Sequence, residues 1–169
     1  MSATILKVNT EKSVIKWAGD KIIGNGHKGT IQVKEGEIHV NNGAVSAAKI
    51  VIDMDTMQEV GAGSPEYAAQ LIGHLKSDDF FKTQKFPTST IVVKNITGNK
   101  VTADLTILDK TNEITFDAAV NNGGTEVNAK FSINRTDWGI VYGSGSFFDL
   151  LKDQTIKDTI DFEVRILAN

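Results

Sequence analysis

In a chain of 169 residues without cysteine, acid–base, metal or nucleophilic chemistry would fall to three histidines, His27, His39 and His74, and to the polar side chains near them. The densest grouping is HLKSDDFF at 74–81, which sets His74 near Lys76, Asp78 and Asp79 and follows them with Phe80 and Phe81. A histidine beside a carboxylate can work as a general base. Asp78 and Asp79 do not read as a paired acid and base, because neighbours on a helical turn project about 100° apart and seldom share a proton. Ser77 reads more simply as a helix cap, with two carboxylates favoured by the positive end of the helix dipole. His39 is expected to face solvent on a short strand, and His27, among glycines, to sit in a turn or at a rim. No two histidines have the spacing of a zinc-binding helix, and none has the accompanying acidic motif, so no metal site is expected. Without cysteine there is no disulfide and no thiol nucleophile.

The glycine-rich stretches are weaker. GSGS at 143–146 lacks the strand-to-helix setting of a nucleophile elbow, so Ser144 and Ser146 read as loop residues. GNGHKG at 24–29 is not followed by the helix whose positive end a phosphate loop requires. NRTDWG at 134–139 is the stronger polar cluster, since it holds one of only two arginines. Arg135 and Asp137 stand two residues apart beside Trp138. Two readings are open: a cation at a barrel mouth for a ligand's polar head, or an Arg135–Asp137 structural ion pair with Trp138 plugging the end.

These residues must be positioned by elements that are mostly strands. Ser13 to Ile23 alternates around Ile15 and Trp17 and ends at Gly24 and Gly26. GTIQVKEGEIHV reads as a hairpin turning at Glu35 and Gly36. Residues 44–55 place Ala44, Ser46, Ala48, Ile50, Ile52 and Met54 on one face of a strand about 40 Å long at about 3.3 Å per residue. Period then changes: Ser64 before Pro65, with Tyr67, Ala68, Leu71, Ile72 and Leu75 at helical spacing, predicts a helix from Pro65 to Leu75, and Pro87 ends any helical conformation beyond it. Alternation returns with turns at Gly98-Asn99, near Lys110 to Asn112 and at NNGG. The apolar sets are Val101, Ala103, Leu105 and Ile107; Ile114, Phe116, Ala118 and Val120; Val127, Ala129, Phe131 and Ile133; and, in the last strand, Ile160, Phe162, Val164 and Ile166.

The expected fold is therefore all-β: an up-and-down antiparallel barrel of about eight strands with one main α-helix packed on it, forming a single domain over residues 1–169. A barrel of that size is filled by side chains or holds one small ligand. Small residues mid-face, Ala103, Ala118 and Ala129 with Ala44, Ser46 and Ala48, suggest unfilled volume and an apolar cavity; the competing reading is a tight, tapered core. A net charge of −3, from 18 basic and 21 acidic residues with no basic run, argues against a nucleic-acid partner. No stretch approaches the roughly 18 consecutive apolar residues of a membrane helix. The amino terminus lacks the apolar core of a signal peptide, so the chain reads as cytoplasmic as it stands and periplasmic if a leader has been removed.

HLKSDDFFKTQKFPTSTI at 74–91, LTILDKTNEITFDAAV at 105–120 and FSINRTDWGI at 131–140 together resemble the YceI-like, polyisoprenoid-binding family, over about Ser13 to Ile166. The resemblance implies a lipocalin-like barrel and a carrier that encloses a long isoprenoid chain, a quinone tail or a polyprenyl phosphate, with no catalytic activity and no cofactor beyond the bound lipid. It places Phe80, Phe81, Phe86 and Pro87 at the barrel edge and Arg135, Asp137 and Trp138 near an end of the cavity. IKWAGDKIIGNGHKG departs from the family's commoner phenylalanine and histidine-rich turn and looks like a subgroup variant.

Three functions compete. In the leading one, Trp17, Phe116 and Phe131, with the inward Leu105 and Ile107, line a tunnel for a hydrocarbon chain, while Phe80, Phe81 and Phe86 and then Arg135, Asp137, Trp138, His74 and Lys76 stand near its edge or head group. A homodimer is a further partner expectation. The second is an enzyme acting on an isoprenoid or ester through His74 and Asp79. The third is a ligand-free, stress-related interaction module with a solid core.

Overall fold

The structure, a computed structural model, describes residues 3–21, 27–60, 64–145 and 155–169. Its elements in chain order are β1 (Ala3–Lys7), β2 (Val14–Lys21), β3 (His27–Asn41), β4 (Ala44–Val60), α1 (Pro65–Leu75), β5 (Thr88–Thr97), β6 (Lys100–Ile107), β7 (Lys110–Asn121), β8 (Glu126–Asn134) and β9 (Ile156–Leu167), with 3₁₀ turns at Asn122–Gly124 and Arg135–Trp138. Strands β2 to β9 each pair antiparallel with the next, and β9 pairs with β2. The sheet thus closes into the expected eight-stranded up-and-down barrel, and closure removes the edges an open sheet would expose. β1 is an additional strand that sequence alternation did not reveal. It pairs with the far half of β3, Ala3 opposite Asn41 to Lys7 opposite Glu37, while β2 takes the near half.

The predicted hairpin at Glu35-Gly36 does not form; β3 runs straight through as one strand of 15 residues. Gly36 is a close-approach glycine instead. A Cβ there would stand 2.9 Å from both the Ile50 and Val8 side chains. The chain reverses at Asn42-Gly43, where both residues have positive φ (54° and 79°), the conformation that two-residue hairpins favour. β6 and β7 turn in the same way through Leu108 and Asp109, just before the turn read near Lys110 to Asn112.

β4 is longer than the sequence reading, 17 residues, because it passes its irregularities without ending. Gln32 pairs with Asp53 while Thr30 pairs with Gln58. Thr56 bridges the bulge, its Oγ1 accepting from the Gln32 amide at 2.8 Å and donating to the Asp53 carbonyl at 2.7 Å. Ile50, Ile52, Met54 and Met57 are all buried as a result. A third shift, between His39 and Val40, turns Val45 inward and leaves Ala44 and Ser46 exposed, which corrects their predicted inward placement.

The predicted inward residues of β6, Val101, Ala103, Leu105 and Ile107, are all buried. At the barrel end nearest Asn42-Gly43, the 3₁₀ turn at Asn122–Gly124 packs so closely that a Cβ on Gly124 would lie 2.9 Å from Val40. The predicted turn glycines Gly24 and Gly26, and Ser146, lie outside the described residues.

Candidate functional site

Helix α1 begins where the sequence predicts. The Ser64 hydroxyl accepts from the Tyr67 amide at 3.3 Å, and Pro65 occupies the first turn, where its missing N–H is no loss. None of its residues is fully buried, although Tyr67, Leu71 and Leu75 form one face with Gln70 and His74 beside them. That face does not press into a filled core. It roofs a cavity of about 720 Å³ inside the barrel, within the range of small-molecule sites. Ile15, Ile91, Leu105 and Val164 wall its interior, and Met54 and Met57 contribute adaptable side chains.

The three alanines that motivated the expectation of a cavity do not line it. Ala103, Ala118 and Ala129 are 0%, 5% and 7% exposed and belong to the packed core. For them the tight-core reading holds, and the space arises because the roof spans the mouth instead of filling it.

HLKSDDFF forms the edge of that roof. After α1 the Ser77 hydroxyl donates to the His74 carbonyl and accepts from the Asp79 amide. Hydrogen bonds from the Phe81 amide to the Leu75 carbonyl and from the Thr83 amide to the Lys76 carbonyl then fold the chain back under the helix end. Phe80 is carried inward to 6% exposure. His74 Nε2 lies 2.9 Å from Asp79 Oδ2, its ring edge-on to Phe80 and to Tyr142 at centroid distances of 5.0 and 4.9 Å. Among the described residues that carboxylate is its one hydrogen-bonding partner.

Arg135 is the polar anchor of the mouth. It is 1% exposed, and its guanidinium donates through Nε to the Lys157 carbonyl (3.1 Å), through Nη1 to Ile140 (2.9 Å) and through Nη2 to Ile156 (3.2 Å). Its carbon sits 5.9 Å from the centre of the Phe80 ring, a cation–π contact. Burial lowers its pKa from the ordinary arginine value, and Asp158, 3.9 Å away, opposes that shift. The sequence paired Arg135 with Asp137 on an assumed strand. The segment is a 3₁₀ turn, so the two side chains diverge: Asp137 is exposed, and its carbonyl accepts from Asn112 Nδ2.

Of the residues singled out from sequence, Trp17, His74, Phe80, Phe81, Leu105, Ile107, Phe131 and Arg135 border the cavity. Five do not. Phe116 lies behind Phe131, stacked on it at 4.7 Å. Phe86 stands off the cavity with Lys85 over its ring, and Lys76 is tied to the Asp55 carbonyl at 2.9 Å. Trp138 is buried, its indole N–H donating to the Leu105 carbonyl at 2.9 Å, while the Arg135–Asp137 ion pair that the structural reading of NRTDWG joined to it does not form. Asp137 is the fifth. Sequence reasoning missed the helix face as a cavity wall, though its periodicity was visible, and missed Tyr142, for which the alternation carries no signal.

Among the described residues there is no group of three or more His, Asp or Glu able to hold a metal ion, and no helix long and apolar enough to cross a membrane.

A model of the YceI-like domain family matches residues 6–168. The protein named UPF0312 protein SA2479 of Staphylococcus aureus (strain N315) is 43% identical over 76 residues, covering 40% of this chain and 44% of that protein, so the chain matches less than half the length of this curated relative. UPF0312 protein SAR2769 of S. aureus (strain MRSA252) is 56% identical over 48 residues, 28% of each chain. Among solved structures, Burkholderia cenocepacia BcnA superposes with a TM-score of 0.69 at 21% identity, covering 96% of this chain and 99% of that one. A polyisoprenoid binding domain from Saccharophagus degradans, implicated in plant cell wall breakdown, gives 0.64 at 14% identity, with 97% of each chain covered. At these identities the superpositions establish the fold.

Proposed function

The chain belongs to the YceI-like domain family, and from that premise we propose that it is a carrier, not an enzyme, whose barrel encloses the hydrocarbon chain of an isoprenoid lipid. The observation that carries this reading is the apolar cavity of about 720 Å³ beneath α1. The structural relative from S. degradans, named for polyisoprenoid binding, supports the ligand class. Each methylene transferred into such a space contributes about 0.8 kcal/mol, so a chain can be held by burial alone.

Two cations border the mouth, Arg135 and Lys157. Arg135, the buried cation there, has donors committed to three backbone carbonyls, and Lys76 is committed to Asp55. Lys157, exposed at the cavity border, is a cation that a polyprenyl phosphate could use, whereas a quinone needs none, so the mouth accommodates either lipid class expected from sequence. His74 with Asp79 packs against the Phe80 and Tyr142 rings, and the pair holds the roof edge in register with Phe80.

Protein purified from its native host should release an isoprenoid lipid, a quinone or a polyprenyl phosphate, on solvent extraction, identified by mass spectrometry. An extract free of prenyl lipid, together with failure of the purified protein to take up a prenyl quinone, would remove the carrier reading.

A further inference from the structure

Among the described residues the shortest ladder in the barrel wall is the one between β7 and β8. β7 pairs with β6 along Lys110 to Asp117, eight successive residues, and β8 pairs with β9 along its whole length. Between β7 and β8 the ladder has only four pairs, from Ala118 opposite Ala129 to Asn121 opposite Glu126. Past that point no further pair forms, and the unpaired stretch is bounded at its other end by Asn112 Nδ2 donating to the Asp137 carbonyl at 3.0 Å. Continuing the register would set Phe116 against Phe131. These two rings stack at 4.7 Å with an interplanar angle of 25°, in place of the missing backbone bonds. Phe131 borders the cavity and Phe116 does not. Both are half-buried, while Thr115, Asp117, Lys130 and Ser132 around them are exposed.

We propose that this split is a lateral opening of the ligand site, through which the far end of a long prenyl chain leaves the barrel between β7 and β8, with the Phe116–Phe131 pair as its gate. The inference rests on the carrier reading and extends it: the cavity holds the chain nearest the head group, and the slit sets which chain lengths are accepted. The physical reason is local. Where the ladders run on, opening the wall would break several hydrogen bonds at once, whereas among the described residues the Phe116–Phe131 ring contact spans this stretch, and side-chain rotations are fast. The two rings also offer an apolar path from the interior to the surface, suited to a saturated or isoprenoid chain and not to a polar one.

The test uses two photoprobes with the same benzoquinone head and a diazirine at the chain terminus, one with a geranyl and one with a decaprenyl chain, followed by peptide mapping of the cross-links. The geranyl terminus is expected on the inner wall, at Ile91 or Leu105. The decaprenyl terminus is expected at Ile114–Asp117 or Lys130–Ser132. In parallel, Phe116→Trp should leave geranyl affinity unchanged and weaken decaprenyl binding about tenfold, the equivalent of about two methylenes losing their burial. Phe116→Leu, which keeps an apolar wall, should not weaken it. A decaprenyl terminus cross-linked to α1, or decaprenyl affinity unmoved by Phe116→Trp, would overturn the lateral opening while the carrier reading stood. Failure of both chains to bind the wild-type protein would overturn the two together.

Discussion

Replacing Arg135 by methionine tests whether that residue is scaffold or ligand contact. Methionine keeps an unbranched apolar stem of similar reach but removes every donor. The carbonyls of Ile140, Ile156 and Lys157 then lose their partner. Ile140 is 1% exposed, so water cannot readily replace it there. Asp158, 21% exposed at its side chain, loses its cation but keeps the Ser144 hydroxyl. Breaking a buried charged network from one side costs about 3–5 kcal/mol, more than the apolar gain from methionine returns. In a chain of this size each kcal/mol moves Tm by about 2–4 °C, so the variant should melt roughly 6–20 °C below wild type in differential scanning calorimetry. Arg135→Lys should fall between the two, because one ammonium cannot reach three carbonyls that diverge around a planar fork. On the folded fraction, affinity for a neutral prenyl quinone should change by less than about twofold, since the lost donors face the backbone. A variant whose Tm stays within about 2 °C of wild type while quinone binding disappears would refute this reasoning and make Arg135 a ligand group.

Other outcomes follow from single positions. Gly29→Ala should prevent normal barrel closure, because its Cβ would stand 1.8 Å from the Gln58 carbonyl oxygen and 2.5 Å from the Trp17 ring; loss of the native near-ultraviolet circular dichroism of Trp17 would register it. Ser64→Ala should destabilise the start of α1 by about 1 kcal/mol, seen as faster amide exchange in the first turn with little change in strand protection. Ile52→Trp, on the cavity wall, should lower the amount of co-purifying lipid at an overpacking cost of about 1–3 kcal/mol, read by extraction and by urea unfolding. Lys94 bridges Glu113 at 2.6 Å and Asp104 at 3.1 Å, and hydrogen bonds first to Glu113 and then to Asp104 raise its pKa above the ordinary 10.5. Its contribution is therefore complete below pH 10.5 and is lost as pH rises through the higher folded value; Lys94→Met should flatten that alkaline decline in stability.

Strand identity, helix α1 and the barrel were legible because each depends on local periodicity: two residues along β6 and β9, and 3.6 along Tyr67, Leu71 and Leu75. The Ser64-Pro65 start of α1 could be read directly, since a cap and its proline act within one turn. Gly36 could not be assigned in the same way. A glycine in a turn and a glycine beneath Ile50 and Val8 are the same letter, and only the partner strand distinguishes them. β1 escaped notice because its pairing with Glu37 to Asn41 comes from distant residues.

The site divides along the same line. Sequence by itself determined the inward set of β6 in full and most of it elsewhere, though not the outward Ala44, Ser46 and Val120, and it marked HLKSDDFF and NRTDWG as departures from alternation. Tertiary structure decided that the first folds under a helix end, that Arg135 turns to backbone carbonyls and away from Asp137, and that Phe116 stands behind Phe131. It also decided that the cavity lies beneath the roof and not beside the alanines. The physical reason is that side-chain volume adds up along a chain, whereas empty space depends on how far apart the closed barrel holds its walls and what is laid across its mouth.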